Sequence, residues 1–507
     1  MSENKKQTKL ASLILASLIL LSSCASGSKS GDSDGKTSGD TGNIGAETVS
    51  EEAANDAADD TDETLQGPAV EDLDGAQLTI LNYTPESFAW ANTLIFAEDL
   101  NGETLNDALY NRERKVEDNY NCLIEELPSS DVINTFKNSV TAQDSTFDTS
   151  MIFDAEVANM LTGGYVMSWN TLSDLDLSNP WWDNASTEQY NFNGIQAAVS
   201  GAFSLYNYST RHCYVVNSEM LEKLSPGYDI YDTVREGKWT VDELYRLGAL
   251  AVSDLDGNGE MSVDNDQWGI TGVVVRHYSA LFAGADCKYI DRNEEGNVYF
   301  AVPGNEKITD VMTKLVNLDS GNYIYNSGYG EDIGGGDPTI FYAGRSLFTA
   351  AYVGEASKMR DIEFALGIVP PPKYNEAQDG YHSLVEGGAQ TMLPKTLSSE
   401  KYHAVAVILD AFGYASYVES IPAYIDVVLM TKVARDAESS EMLQLVFDTS
   451  YYDLGTGIWS SIKCAYAKNV FLPKSDTIAS TTKVNEKMTN RLLETFTEKL
   501  AELNMEN

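Results

Sequence analysis

The sequence predicts an α/β fold built on a parallel sheet, and three observations lead to that prediction. Apolar, strand-like runs occupy residues 78–83 and 149–153, and an alternating run lies between them at residues 120–124. Two amphipathic segments, residues 103–119 and 131–143, separate these runs. Strands that alternate with helices form parallel β-α-β units with right-handed crossovers. An apolar content of 43% is ample for a packed core around such a sheet.

Both helical segments have an apolar face at helical spacing and a polar face opposite. Asp131 stands directly before the second segment, where an acidic residue caps a helix. The apolar faces consist of Leu105, Ala108 and Leu109 in the first segment and of Val132, Ile133, Phe136 and Val140 in the second.

Asp154 is the first candidate functional residue, because it directly follows the third strand. In open sheets of this kind, ligands bind beyond the carboxyl ends of the strands. The position therefore predicts that the Asp154 carboxylate faces a ligand.

A second α/β pattern follows. Residues 198–206 are expected to form a strand pair or a segment that crosses between sheets, residues 214–217 a strand and residues 218–223 a helix. Thr240 and Glu243 have the spacing of a capping box, which predicts that another helix begins there.

The start of the chain is typical of an exported protein. Lys5 and Lys6 precede an apolar run, residues 10–21, which is shorter than the roughly 20 apolar residues that span a membrane. Residues 21–24, Leu-Ser-Ser-Cys, resemble the lipobox of bacterial lipoproteins. That resemblance implies a signal peptide at residues 1–23 and attachment of acyl chains, palmitate among them, to Cys24. The alternative is an ordinary secretory signal that contains a cysteine by chance.

Residues 24–74 are rich in Ser, Gly and acidic side chains and almost lack large apolar ones. Such a segment cannot bury enough surface to offset its chain entropy, so a disordered acidic tether is expected. The whole chain carries 77 acidic and 34 basic residues, a net charge of −43. This charge disfavours nucleic acid and anionic membranes as partners and favours a neutral ligand.

The five cysteines include Cys24, and the other four are widely spaced without a CxxC pair. Export would permit disulfides, and four cysteines allow three pairings, but buried thiols are the expected state. The four cysteines expected to be buried thiols are Cys122, Cys213, Cys287 and Cys464.

The order of segments resembles the extracellular solute-binding proteins of ABC importers, family 1, of the carbohydrate type. Besides the lipobox, the resemblance rests on the opening β-α-β-α-β unit, which ends in a strand after Phe147-Asp148. It also rests on the Tyr-Val-Val-Asn segment at 214–217 and the Lys-Trp-Thr-Val-Asp-Glu-Leu segment at 238–244. It implies a periplasmic-binding-protein-like fold of type II, in which two lobes, each a sheet flanked by helices, close on a ligand about a hinge.

By that resemblance, lobe 1 would comprise residues 75–205 plus 336–380, and lobe 2 residues 206–335 plus 381–507. The expected protein is a monomeric, lipid-anchored lipoprotein on the outer face of the cell membrane. It would capture a sugar or oligosaccharide in the interlobe cleft and deliver it to the permease subunits of the importer, with no catalysis and no organic cofactor.

Residues 254–265 predict a structural Ca²⁺ loop. Oxygen-bearing side chains fall at loop positions 1, 3 and 5 with glycine at position 6, as in an EF-hand, although position 12 is Asn265 in place of glutamate. An acidic turn without metal is the alternative. The expected ligands are Asp254, Asp256, Asn258, Glu260, Ser262, Asp264 and Asp266.

Tryptophans are the candidate walls of the carbohydrate site, because sugar rings present flat C–H faces to aromatic rings and ligand pockets are largely apolar. A core position is the alternative for each of them. The candidates are Trp90, Trp169, Trp181, Trp182 and Trp459. The resemblance further implies that Trp459 stacks on sugar, that Asp154 accepts sugar hydroxyls and that Tyr352 and Glu355 contact ligand. Glu386 is a candidate near a chain crossing, with a hinge role as its alternative.

Two other functions stay open. A membrane-anchored hydrolase would use two carboxylates, but 77 acidic residues make chance pairs common. A sensory binding protein that presents its ligand to a receptor would have the same sequence features as a transport protein.

Overall fold

The structure, a computed structural model, describes residues 65–87, 93–319, 324–327, 339–359, 362–429 and 437–506. The expected signal peptide, the expected lipidation site Cys24, most of the expected tether and the candidate Trp90 lie outside the described residues.

The strands are short, and most are buried. They are β1 (Ala76–Tyr83), β2 (Cys122–Ser129), β3 (Thr149–Phe153), β4 (Val166–Met167), β5 (Asn191–Phe192), β6 (Ile195–Gln196), β7 (His212–Asn217), β8 (Trp268–Val273), β9 (Ile290–Arg292), β10 (Val298–Phe300), β11 (Ile324–Ser327), β12 (Ser346–Tyr352), β13 (Leu366–Val369), β14 (Ser383–Leu384), β15 (Ala389–Pro394) and β16 (Ser450–Tyr451).

Helices connect most of these strands and dominate the last hundred residues. They are α1 (Thr104–Tyr120), α2 (Val132–Ala142), α3 (Val157–Thr162), α4 (Asn184–Gln189), α5 (Tyr206–Ser209), α6 (Ser218–Leu224), α7 (Ile230–Arg235), α8 (Val241–Ala251), α9 (Val274–Gly284), α10 (Glu306–Asp319), α11 (Thr339–Tyr342), α12 (Val353–Ala356), α13 (Tyr402–Ala415), α14 (Ile421–Leu429), α15 (Ala437–Asp448), α16 (Ser461–Tyr466) and α17 (Ile478–Glu506).

The first sheet has the order β2-β1-β3-β15-β4. Strands β2 and β3 both run parallel to β1, which confirms the β-α-β-α-β prediction. Asp131 caps α2 as expected, since its carboxylate accepts a hydrogen bond from the Asn134 N–H at 3.3 Å. Strand β15 returns from late in the chain and runs antiparallel to β3 and β4.

The second sheet has the order β11-β8-β12-β7-β13. Strands β11 and β12 are parallel to β8, whereas β12 and β13 are antiparallel to β7. The predicted helices after β7 and after Thr240 are present as α6 and α8. Only half of the predicted capping box forms: Thr240 accepts from the Glu243 N–H, but the Glu243 carboxylate bonds Arg246 and Tyr228.

Strand pairing differs from the expected exchange of segments between the lobes. Residues 336–380 were expected in lobe 1, yet β12 and β13 from that range pair with β7 in the second sheet. Residues 381–507 were expected in lobe 2, yet β15 completes the first sheet and α13 packs against β1. Strands this far apart in the sequence pair because of how they pack in three dimensions. The hydrophobic periodicity of a segment carries no information about its pairing partner.

Two shorter predictions were wrong in part. For residues 198–206 the strand pair is wrong and the crossing segment is confirmed: Val199 bridges Thr391 of the first sheet, and the chain continues through α5 into β7 of the second sheet. The folded unit begins before residue 75: the Tyr120 hydroxyl donates to the Pro68 carbonyl at 2.9 Å, and the Leu73 N–H donates to the Tyr120 carbonyl at 2.9 Å. The last residues of the expected tether therefore pack on the body.

Residues 399–428, which contain α13 and α14, are long and apolar enough to cross a membrane, but 61% of their most apolar window is buried inside the protein. This run is therefore a core element by its packing. The four cysteines beyond Cys24 are free thiols, and three of them are buried.

Candidate ligand site at the junction of the two sheets

The carboxyl end of β3 and the start of β15 meet at one edge of the first sheet. The register of this antiparallel pair places Ala389 opposite Phe153, so Asp154 and the Glu386–Gly388 segment are neighbours. The Asp154 N–H donates to the Gly388 carbonyl at 3.1 Å. Asp154 and Glu386, singled out separately in the sequence, therefore lie at the same edge.

Two glycines make this approach of backbone segments possible. Gly387 has a φ of +72°, a conformation that side chains other than glycine rarely adopt. A Cβ on Gly388 would lie 2.0 Å from the Asn207 Oδ1, so no larger residue fits there.

The corresponding edge of the second sheet supplies the opposite side of the site. His212 begins β7 and pairs with Tyr352 at the end of β12. Arg276 stands in the first turn of α9, directly after the parallel strand β8. Its guanidinium forms an ion pair with Glu355 at 2.5 Å and lies 4.1 Å from the centroid of the Tyr352 ring. Glu355 also accepts the Tyr352 N–H at 3.1 Å, so these three side chains form one group.

Glu386 joins the two edges. Its carboxylate lies 3.2 Å from the His212 Nε2 and forms an ion pair with Lys463 of α16. Burial raises the pKa of the Glu386 carboxyl, but the Lys463 ammonium and the hydrogen bond with His212 outweigh it and lower the pKa to about 2. Burial lowers the pKa of His212, so this ring is neutral at pH 7. Glu386 is therefore an anion held between the two sheets.

Asp154 has the opposite electrostatic setting. Burial raises its pKa to about 7. The Lys463 ammonium lowers this pKa, and the Glu386 carboxylate raises it further. Its Oδ2 lies against Gly457, where a Cβ would be only 3.1 Å away. A carboxyl that is partly protonated near pH 7 can both donate and accept hydrogen bonds.

The Gly457 loop carries Trp459, so Asp154 and Trp459 are brought close together in the fold. The loop is held by Asp453, whose carboxylate accepts the N–H groups of Tyr289 and Ile290 at 3.0 and 3.1 Å. The Trp459 ring contacts Phe496 of α17 edge to face at 5.2 Å. Both rings line a cavity of about 380 Å³ between α3 and α17.

Three other predicted wall residues lie in the packed core instead. Trp181 and Trp182 both donate their indole N–H to the Asp410 Oδ1, at 2.5 and 2.9 Å. Trp169 donates to the Thr391 carbonyl at 3.1 Å and is 1% exposed. Their indole N–H groups donate to other parts of the protein, and the rings of Trp181 and Trp182 pack against neighbouring aromatic rings. The three tryptophans therefore occupy core positions, which was the alternative to the ligand wall.

The predicted Ca²⁺ loop brings three of its carboxylates together. Oxygens of Asp254, Asp256 and Asp266 lie within 4.8 Å of one another, and Asp266 is fully buried. The loop is pre-formed by backbone donors, because Asp254 accepts the N–H groups of Gly257 and Gly259 at 2.7 Å. Among the residues described, Glu260 and Asp264 do not join this carboxylate group. Asn258 and Ser262 instead accept backbone N–H groups within the loop, those of Glu260 and of Asp264 and Asn265.

Sequence reasoning missed His212, Arg276 and Lys463. For His212 and Arg276, their position relative to the strands was the available signal. His212 begins β7 and Arg276 follows the end of β8, so both lie at the same edge of the sheet. Nothing in the local sequence marks Lys463.

No family model matches the chain, and a search of curated proteins finds no match to it. Solved structures do match. A cyclic α-maltosyl-1,6-maltose binding protein from Arthrobacter globiformis has a TM-score of 0.55 at 15% identity, over 83% of this chain and 100% of that one. The sugar-binding protein MalE from Xanthomonas citri has a TM-score of 0.57 at 9% identity, over 83% and 98%.

A third match is an ABC substrate-binding protein from Listeria monocytogenes in complex with cycloalternan. Its TM-score is 0.51 at 13% identity, over 83% of this chain and 99% of that one. At these identities the likeness concerns the fold. The chain therefore has the two-lobed α/β fold of solute-binding proteins, with each sheet flanked by helices.

Proposed function

We propose that the protein is an extracytoplasmic solute-binding protein that captures a carbohydrate and delivers it to the permease of an ABC importer. The observation that carries this proposal is the junction itself. Buried polar groups from the edges of both sheets, Asp154 and Glu386 on one side and His212 on the other, meet beside an aromatic-lined cavity.

The chemistry of this junction suits sugar hydroxyls. A ligand pocket is mostly apolar with a few placed polar groups. Here Trp459 and Phe496 supply apolar faces to the cavity, and Asp154, which lies against Gly457 two residues before Trp459, would supply hydrogen bonds. Groups from both sheets that contact one ligand would stabilise the closed arrangement of the lobes. Two of the matched structures are a cyclic α-maltosyl-1,6-maltose binding protein and a substrate-binding protein in complex with cycloalternan, which supports a carbohydrate as the ligand.

The remaining parts of the proposal concern the start of the chain and the acidic loop at residues 254–266. Cys24 would carry the acyl chains that hold a monomer on the outer face of the membrane. Residues 254–266 would hold a structural Ca²⁺, because three carboxylates are already within reach of one cation. Lipid attachment is tested by mass spectrometry of the mature protein and of its Cys24→Ala variant.

Isothermal titration calorimetry against a panel of oligosaccharides tests the binding function. Trp459→Leu should weaken binding about fivefold, since an aromatic contact contributes about 1 kcal/mol beyond its buried area. Trp268→Leu is the matched control, because Trp268 is equally buried, at 7%, and donates its N–H to the Ser262 carbonyl of the Ca²⁺ loop. Equal loss in both variants, or no binding of any oligosaccharide, would contradict the proposal.

The hydrolase alternative has one observation in its favour. The pKa values of Asp154 and Glu386 are pushed apart, to about 7 and about 2, as in pairs that divide acid and base roles. Product analysis after incubation with the bound oligosaccharide separates the two functions. An unchanged oligosaccharide is the expected result, and cleavage would establish the hydrolase.

A further inference from the structure

The cavity beside Trp459 has an unusual charge for this chain. It is lined by two cationic side chains, Arg491 and Lys499 of α17, and by no aspartate or glutamate. The whole chain has 77 acidic and only 34 basic residues. A cavity lined by two cationic side chains and by no carboxylate is therefore unexpected in a chain with more than twice as many acidic as basic residues.

The two cations have no ion-pair partner among the residues that the structure describes. Both side chains are exposed and stand two turns apart on the same helix. Charge-assisted hydrogen bonds from such groups to an oxyanion are about twice as strong as neutral ones.

The same helix exposes apolar side chains to this cavity. Met488 is 56% exposed and Leu492 is 40% exposed, although both line the cavity with Trp459 and Phe496. Apolar side chains together with a few placed polar or charged groups are the usual lining of a ligand pocket. The volume, about 380 Å³, falls in the range of about 300 to 1,000 Å³ that small-molecule sites occupy.

We propose that this cavity binds an acidic sugar unit, whose carboxylate or sulfate pairs with Arg491 and Lys499 while its ring contacts Trp459. The inference rests on the proposed carbohydrate-binding function and departs from the neutral ligand expected from overall charge. Apolar walls alone would accept neutral and acidic sugars alike. The two cations add a preference for the acidic form.

Calorimetry on the full-length protein tests this preference with matched probes. The probes are oligosaccharides of two to four galacturonate, glucuronate or mannuronate units, each compared with its methyl ester, which keeps the skeleton and removes the charge. Sulfated galactose oligomers form a second arm that distinguishes sulfate from carboxylate. The acid should bind at least tenfold more tightly than its ester, and the difference should shrink as salt concentration rises.

The double variant Arg491→Gln/Lys499→Gln should lose this preference while it still binds the esters. Lys483→Gln is the control, because Lys483 is an exposed cation on the same helix outside the cavity lining. Equal affinity for acids and esters, or a preference that survives the double variant, overturns this inference alone. Failure to bind any oligosaccharide, charged or neutral, overturns the proposed function as well.

Discussion

The Nε2 of His212 lies 3.2 Å from a carboxylate oxygen of Glu386. This contact joins the start of β7 in the second sheet to the segment that leads into β15 in the first. A buried carboxylate at this position is stable only while its cationic partner, Lys463, stays in place. The two sheets are therefore coupled through one charged group.

Removal of one partner of that pair should destabilise the protein strongly. Lys463→Met leaves Glu386 buried without its cation, which costs about 3–5 kcal/mol of unfolding free energy. The double variant Lys463→Met/Glu386→Gln should recover much of this loss, because no uncompensated charge remains. Urea denaturation measures both values, and a single variant as stable as wild type would contradict the coupling.

Asp154 should make stability fall as pH rises towards neutrality. Its folded pKa is about 7, above the ordinary value of 3.8, so the folded protein keeps a proton that the unfolded chain has already lost. The free energy of unfolding therefore decreases between about pH 4 and pH 7.

Asp154→Asn removes this contribution, so its stability relative to wild type should increase across the same pH interval. Denaturation at pH 4.5 and pH 7.5 measures the change. If the difference between variant and wild type is the same at both pH values, Asp154 does not have the raised pKa.

Asp410 should support the core rather than the ligand. Asp410→Ala leaves the buried N–H groups of Trp181 and Trp182 unpaired, at about 1–3 kcal/mol each. The melting temperature should drop while affinity for the bound oligosaccharide stays constant. Asp118→Ala, an exposed position, serves as the control. A change in affinity without a loss of stability would indicate that these two tryptophans contact the ligand.

Calcium should stabilise the protein through the loop at residues 254–266. A concentration one hundred times the dissociation constant adds about 2.7 kcal/mol, and a chelator removes it. Asp256→Asn should abolish the calcium-dependent rise in melting temperature, whereas Glu294→Gln, on an exposed turn, should keep it. A rise that persists in Asp256→Asn would place the cation elsewhere.

The sequence alone determined the local elements of this protein. The parallel unit β1-α1-β2-α2-β3, the cap at Asp131 and the approach of carboxylates in the 254–266 loop all depend on residues close together in the chain, where periodicity and spacing carry the information. Asp154 was found for the same reason, since its place after β3 follows from the strand itself.

Tertiary structure alone decided which distant segments meet. Whether β15 joins the first sheet, whether Trp181 faces a ligand or Asp410, and whether Lys463 reaches Glu386 depend on pairings across many tens to more than two hundred residues. The energies of such pairings come from shape, burial and charge in three dimensions, and amphipathic patterns constrain only which face of an element is buried.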